Sequence, residues 1–471
     1  MKPPARIERL ATGVDGLDAI TSGGLPAGRS SLVAGTAGSG KTLLAVQFLV
    51  AGLAAGETAV LVTFDERPED LVRNAASLGW DLREHLDAGN LAIVDLTPPR
   101  GETIATGEFD FGALVARVEA AVARTHAARV AVDAAGGLFT HFVDSGLVRR
   151  ELARLIDCLR TAGVTALITA ERTDEYGPVA RYAVEEFVAD TVIVLRNPLG
   201  RERRRRTIEV LKLRGGGHER GEHPFGIDDR RGIIVLPLSG LESGPDAPLR
   251  QVSIGIEGLD EMCSGGIPGD AITLVHGPSG AGKSLLACHF VQAGLGAGER
   301  VLHYCFEDSR DRLLRHAEAI GLGGLREAER AGRLSVVSRH PERLGLEDLF
   351  VEIHRAVTEL QPRRLVIDSL SVLDRVSSGA AFREFVVGLV DTVRNHRIAT
   401  LCTHEVASDG GGEAVTHVST MSDCLIALRF REHAGAYRRT VQVVKLRGSS
   451  HDLAERELRI GEVGITVVPR A

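Results

Sequence analysis

Short runs of uninterrupted apolar residues alternate along the chain with longer stretches whose apolar positions recur every three or four residues. Ser31-Leu-Val-Ala34 is one such run; a Gly-rich loop and the helical stretch Leu43–Leu53 follow it. Ala59–Phe64, Val130–Val132 and Thr165–Thr169 are further runs, the last two each preceded by an amphipathic helical stretch. Strands covered on both faces read as continuous apolar runs, so the pattern predicts a parallel sheet flanked by helices. After Asp190 the strands crowd together, at Val192–Leu195 and Thr207–Leu211, and predict an antiparallel extension.

The pattern then repeats. Gly13-Val-Asp-Gly-Leu-Asp18 returns as Gly255-Ile-Glu-Gly-Leu-Asp260, and Ser22-Gly-Gly-Leu-Pro26 as Ser264-Gly-Gly-Ile-Pro268, both 242 residues later. Gly35-Thr-Ala-Gly-Ser-Gly-Lys-Thr42 returns as Gly277-Pro-Ser-Gly-Ala-Gly-Lys-Ser284 at the same offset, and Lys212-Leu-Arg-Gly215 as Lys445-Leu-Arg-Gly448 at 233. So long a period marks a duplicated domain rather than a solenoid. The expected domains are 1–240 and 250–471, joined by a linker at Leu238–Arg250 with Ser-Gly, Gly-Pro and Ala-Pro breakers.

Composition narrows the function. The 471 residues are 44% hydrophobic, enough for ordinary cores. No charge-free apolar run reaches about 18 residues, and the N-terminus lacks the apolar segment of a signal peptide. Six Cys without metal spacing read as reduced thiols, and a cytoplasmic protein is expected. A net charge of −7 argues against nucleic acid as the main partner. Of the 56 basic residues only five are Lys, leaving 51 Arg. Apart from Lys2, those lysines are Lys41, Lys283, Lys212 and Lys445, all in the repeated motifs.

Both octapeptides match G-x-x-x-x-G-K-[ST] between a predicted strand and a predicted helix, the context of a phosphate-binding loop. Gly38, Ser39, Gly40 and Lys41, and Gly280, Ala281, Gly282 and Lys283, would wrap the phosphates of ATP with backbone N–H groups and a lysine. Thr42 and Ser284 would ligate Mg²⁺, with Asp133 and Asp368 at the ends of later strands as the second metal-side groups. The plainer alternative for either Asp is a helix N-cap. Asp65-Glu66 and Glu307-Asp308 end the strand after each loop's helix and could orient a water or accept a hydroxyl proton; favourable helix-terminal charges are the alternative. The two K-L-R-G-x-x-H motifs, ending at His218 and His451, suggest cations supplied to a γ-phosphate from elsewhere. The run Arg203–Arg206 reads first as a solvated strand end.

Together these residues resemble the KaiC family, two-domain RecA-like ATPases and autokinases of the cyanobacterial clock and their relatives. The resemblance runs from about Arg6 to Ile465 and includes Glu171-Arg-Thr-Asp-Glu-Tyr-Gly-Pro178, Ile367-Asp-Ser-Leu-Ser371 and Val418-Ser-Thr-Met-Ser-Asp423. It implies an α/β fold of two tandem RecA-like P-loop NTPase domains, six copies in stacked rings, and ATP between neighbours. Ser77, Lys212, Leu213, Arg214 and His218 would bind nucleotide in the first ring. Arg439, Lys445, Arg447 and His451 would do so in the second. The first ring is implied to be an ATPase with Asp65 and Glu66 as matching acids, Glu66 being the longer. The second is implied to phosphorylate itself on Ser419 and Thr420, with Glu307 as the base beside Asp308. Partners implied are a KaiB-like or signalling protein. KaiA is not expected, because the chain stops at Ala471, short of the family's KaiA-binding tail.

Departures from the pattern are Asp65 and Asp308 where the family usually has Glu, Ala134 where Ser is common, Ile320 in place of an adenine-stacking aromatic, and Ala414 in place of a Thr. The missing tail and the Ile320 and Ala414 departures keep open a nucleotide-switched hexameric scaffold without autokinase activity. A RecA-like ATPase acting on DNA is the other alternative; it needs basic loops, and Ser408–Glu413 is not basic.

Overall fold

The first buried run forms the centre of a sheet because strands flank it on both edges and helices cover both faces. The computed structural model describes residues 7–97, 111–134, 145–179, 189–200, 203–236, 250–340, 345–406, 418–433 and 435–469. Ala414, the stretch 408–413 and most of the proposed linker lie outside the described residues. The chain divides into two units, 1–237 and 238–471.

In the first unit β1 (Arg9–Leu10) pairs antiparallel with β2 (Leu25–Pro26). The main sheet holds β3 (Ser30–Gly35), β4 (Ala59–Thr63), β5 (Leu91–Asp95), β6 (Arg129–Asp133) and β7 (Thr165–Glu171). It continues with β8 (Thr191–Arg196), β9 (Thr207–Leu213), β10 (Glu222–Asp228) and β11 (Gly232–Val235). Their order is β11-β10-β9-β8-β3-β7-β6-β4-β5.

The second unit repeats it. β12 (Gln251–Val252) pairs with β13 (Ile267–Pro268). Its main sheet holds β14 (Ile272–Gly277), β15 (Val301–Cys305), β16 (Leu334–Ser338), β17 (Arg364–Asp368) and β18 (Ala399–Glu405). It ends with β19 (Cys424–His433), β20 (Ala436–Leu446), β21 (Arg456–Gly461) and β22 (Gly464–Val467). The order β16-β15-β17-β18-β14-β19-β20-β21-β22 is that of the first sheet read from the other edge. These are two mainly parallel sheets with flanking helices, as tandem RecA-like domains require.

One detail differs from the sequence reading. β8 is parallel to β3, so it belongs to the parallel body of the sheet. The antiparallel extension begins only at β9, which runs back along β8. The duplication reaches a β-bulge: β9 slips one residue against β8 at Val192/Ile193, and β20 slips against β19 at Leu425/Ile426. The bulged residues, Leu211 and Val444, are exposed in both units.

A buried cross-link shows how the copies diverged. In the first unit the Gln47 Oε1 accepts the Ile233 N–H at 2.8 Å, and its Nε2 donates to the Gly13 carbonyl at 2.9 Å. The matching residue of the second unit is His289. Its Nε2 accepts the Ile465 N–H at 2.8 Å, and its Nδ1 lies 3.2 Å from the Gly255 carbonyl. A neutral imidazole with its proton on Nδ1 therefore does the work of an amide. It sits so close to Gly464 that a Cβ there would lie 2.3 Å from Nε2, and Gly464 has φ 86°.

This has a pH consequence. Burial pushes the His289 pKa down; the bond to Gly255 opposes it weakly. The nearby charged groups, Arg364 with Glu299 and Asp260, are engaged with each other or with backbone. A folded-state pKa below the unfolded value of about 6.5 means the stabilisation is complete above that pH and is lost as pH falls from there through the folded-state value. Denaturation of wild type and His289→Gln between pH 7.5 and 5 is expected to diverge below about 6.5, with the Gln protein holding its stability better. Parallel curves would show that His289 does not titrate with unfolding.

Candidate functional site

Each phosphate-binding loop leaves the C-terminal end of a central strand and runs into a helix, Lys41–Ala54 or Lys283–Gly296. The turn into the helix needs a left-handed residue, and Gly40 and Gly282 supply it at φ 99° and 108°. Ser39 and Ala281 are buried, so the loops present backbone there, not side chains. The Ser39 hydroxyl donates inward to the Thr36 carbonyl at 2.8 Å.

The lysines rest on their own loops. Lys41 Nζ donates to the Thr36 carbonyl at 2.8 Å, and Lys283 Nζ to the Gly277 and Pro278 carbonyls at 2.9 Å each. Burial pushes both ammonium pKa values down. Carboxylates oppose it: Glu171, Asp133, Asp65 and Glu175 at Lys41, and Glu405, Asp368 and Glu307 at Lys283. The second loop borders a cleft of about 230 Å³ that also presents Ser284, Glu307, Asp368, Ser369 and Glu405.

Asp133 and Asp368 end β6 and β17, one strand removed from the loop strand. Thr42 Oγ1 donates to Asp133 Oδ2 at 2.9 Å, and Ser284 hydrogen-bonds Asp368. The other Asp133 oxygen accepts from Thr169 at 2.7 Å, and Asp368 Oδ1 accepts from Thr403. Hydroxyl and carboxylate are thus held together in both units, a donor pair of hard oxygens that suits Mg²⁺. Burial pushes the Asp368 pKa up.

The acidic pairs separate. Asp65 and Glu307 are among the acids felt by the loop lysines. Glu66 instead accepts from Asn74 Nδ2 at 3.1 Å, and Asp308 pairs with Arg312 at 3.1 Å. The position facing the first loop therefore belongs to Asp65, the shorter carboxylate. Burial, with Asp133 and Glu171, pushes its pKa up. Burial, then Asp133, also raises Glu66. Glu307 accepts from Ser369 Oγ at 3.2 Å and lies 3.6 Å from Arg375, which also reaches Glu405 at 3.6 Å. Ala134, the counterpart of Ser369, carries no hydroxyl to do the same. Ser77 lies outside this group; its hydroxyl donates back to the Asn74 carbonyl at the end of its helix.

The K-L-R-G motifs lie at the other end of the sheet. Gly35 is level with Leu195 and Ile208, while Lys212 pairs with Val192, three residues back along β8, about 10 Å at the usual strand rise. Lys212 Nζ donates to the Ala189 carbonyl at 2.8 Å, and Arg214 pairs with Asp190 at 3.7 Å. Lys445 and Arg447 repeat the placement: Lys445 Nζ donates to the carbonyls of Ser419, at 2.9 Å, and Ser422, at 2.5 Å. Arg447 donates to the Thr420 carbonyl at 3.1 Å and lies 3.8 Å from Asp423. Ser419 and Thr420 sit on a helical turn at 418–421.

Not all of the cations stay together. Arg439, near the start of β20, donates to the Gly280 carbonyl of its own phosphate loop at 3.1 Å. Leu213 is buried, so it offers backbone only. His218 is half-buried, and His451 Nε2 has no hydrogen-bond partner among the described residues. Ile320 packs against the second core. Sequence reasoning missed Glu171 and Glu405, although Thr169-Ala-Glu171 and Thr403-His-Glu405 repeat at an offset of 234.

Among the described residues there is no group of three or more His, Cys, Asp or Glu that could hold a metal ion unaided. No helix among them is long and apolar enough to cross a membrane.

A family model for the KaiC ATPase matches residues 10–240 and again 252–471. The circadian clock protein KaiC3 of Synechocystis sp. is 44% identical over 98% of this chain and 92% of its own length. The circadian clock oscillator protein KaiC of Parathermosynechococcus lividus is 44% identical over 98% and 85%. That of Synechococcus elongatus is 43% identical over 97% and 88%.

Proposed function

Because the chain belongs to the KaiC family of ATPases, we propose that its copies form a six-membered ring in which each nucleotide is completed by the neighbour's Lys-Leu-Arg-Gly cations. The first unit hydrolyses ATP, and the second phosphorylates Ser419 and Thr420 of an adjacent copy. The protein acts in timing or signalling through its nucleotide and phosphorylation state, with a KaiB-like protein among the candidate partners.

The observation that carries the reading is the grip of Lys445 and Arg447 on the Ser419–Thr420 turn, at the sheet end opposite their own phosphate loop. Neither the cations nor the acceptor hydroxyls can serve the loop of their own chain. Arg214 and Arg447 keep 53% and 54% of their side chains exposed, so both can meet a neighbour's phosphates.

In the transfer, an acceptor hydroxyl oxygen bonds to the γ-phosphorus, the bond to the β-phosphate oxygen breaks, and ADP leaves with that electron pair. Glu307 accepts the hydroxyl proton. Lys283 and the loop N–H groups hold the phosphates in line, the positioning on which phosphoryl transfer depends. Mg²⁺, held by Ser284 and Asp368, would supply charge neutralisation. Thr42 and Asp133 would hold it in the first unit.

After incubation with Mg·ATP, mass spectrometry is expected to find phosphate on Ser419 or Thr420. Sustained hydrolysis without phosphate would reduce the function to a nucleotide-switched assembly.

A further inference from the structure

The residue after the first glycine of each phosphate loop sits in the same turn in both units. The Ser39 N–H donates to the Thr36 carbonyl at 3.3 Å, and the Ala281 N–H to the Pro278 carbonyl at 3.3 Å. Each of these carbonyls also takes a hydrogen bond from its loop lysine. This residue therefore sets where the lysine rests and how the loop opens. In the second unit a proline ring fixes its φ. In the first unit it is Thr36, which has no such restraint in its own covalent structure.

Thr36 is tethered instead. Its hydroxyl donates to Glu175 Oε1 at 2.8 Å, and the Asn197 backbone N–H donates to Glu175 Oε2 at 2.8 Å. One carboxylate thus ties the phosphate loop to the end of β8. Glu175 is itself held rigidly. Arg196 Nε donates to its backbone carbonyl at 3.1 Å, and Arg172 donates to the Gly177 and Pro178 carbonyls at 2.8 and 3.2 Å. Arg172 and Arg196 are both buried. A supporting residue on so fixed a base can hold a site in its working geometry.

We propose that Glu175 is a positioning residue for the first nucleotide site, holding Thr36 by hydrogen bond where the second site uses the ring of Pro278. It touches neither the phosphates nor the reacting atoms; it acts through Thr36 on the loop and on Lys41, and its charge is also among those felt by Lys41. The proposal rests on the first loop being a nucleotide site, and the test separates the two claims.

The test uses the full chain carrying Lys283→Ala, so that only the first loop binds, and a fluorescent ADP analogue as probe. Glu175→Ala is expected to weaken binding about tenfold, the loss of a hydrogen bond to a charged group. Thr36→Val, which removes only a hydroxyl, should weaken it to a similar degree, and the double variant no further, because both break one tether. Thr36→Pro in the Glu175→Ala background should recover most of the affinity. In hydrolysis, KM should rise about tenfold with kcat within about twofold, since the bound loop still presents Lys41 and Asp133. Melting curves of each variant show whether the unit is folded; if Glu175→Ala unfolds it, the Thr36 variants carry the test. Unchanged binding in Glu175→Ala or in Thr36→Val, while Lys41→Ala abolishes it, would overturn the positioning role. Additive losses, or no recovery with Thr36→Pro, would overturn it as well. Unchanged binding in Lys41→Ala would instead overturn the nucleotide-site reading.

Discussion

Replacing Glu307 by Gln is expected to cut phosphate incorporation at Ser419 and Thr420 by about 10²- to 10⁴-fold, the usual contribution of a general base. Gln keeps the length of the side chain and can still accept from the Ser369 hydroxyl, 3.2 Å away in the wild type. It cannot take a proton. Glu307→Asp should fall between, because retraction by one methylene spoils the reach and leaves the basicity. The sheet geometry adds a sharper expectation. The acceptor turn lies at the opposite end of the sheet from the loop of its own chain, four residues of strand away, so the proposed transfer is expected to cross between copies. A Glu307→Gln chain and a Ser419→Ala/Thr420→Ala chain should each stay unlabelled alone. Mixed, after subunit exchange, they should place phosphate on the Glu307→Gln chain. Labelling of Glu307→Gln alone at the wild-type rate would remove Glu307 from the mechanism. A blank mixture would mean that transfer does not cross between copies.

Much of this site is written in consecutive residues, and that part was legible. A phosphate loop is a local structure: glycines at fixed offsets, one lysine, one hydroxyl, between a strand and a helix. Asp133 and Asp368 could be found because a strand that ends in an acid is also a local signal. The pairing of Asp65 with Glu66 was harder. Successive residues at a strand end point in different directions, and which one faces the loop depends on how the chain turns into the next helix. The partners Asn74 and Arg312 decide it. Arg439 was hidden by length. It belongs to the same strand as Lys445, but a strand of 11 residues carries its two termini to opposite ends of the sheet. Glu175 lay in a recognisable segment, but its partner Thr36 is 139 residues away and only the fold brings them together.

The bias toward Arg concealed something else. In a chain with 51 Arg an additional one reads as surface, yet Arg129 and Arg364 are buried at the start of matching strands. Arg364 is ion-paired with Glu299 at 2.6 Å, donates to the carbonyls of Ser253 at 2.7 Å and Phe290 at 3.0 Å, and lies 4.6 Å over the Phe290 ring. Arg129 does the same with Glu57, Ala11 and Phe48. One guanidinium thus ties the central helix, the segment before it and the sheet into a single body. Its planar fork makes these contacts together, which an ammonium cannot. Arg364→Met is therefore expected to destabilise the second unit by about 3–5 kcal/mol, because it leaves Glu299, only 11% exposed, without a partner and strands two carbonyls. For a unit of this size that is a fall in Tm of roughly 6–20 °C. Arg364→Lys should recover only part of it. Removing the carboxylate as well, in Arg364→Met/Glu299→Leu, should recover more than Arg364→Lys does, since an apolar pair no longer confines a lone charge. Calorimetry of the three proteins gives the order. A double variant no better than Arg364→Met would mean that the orphaned carbonyls, not the buried carboxylate, carry the cost.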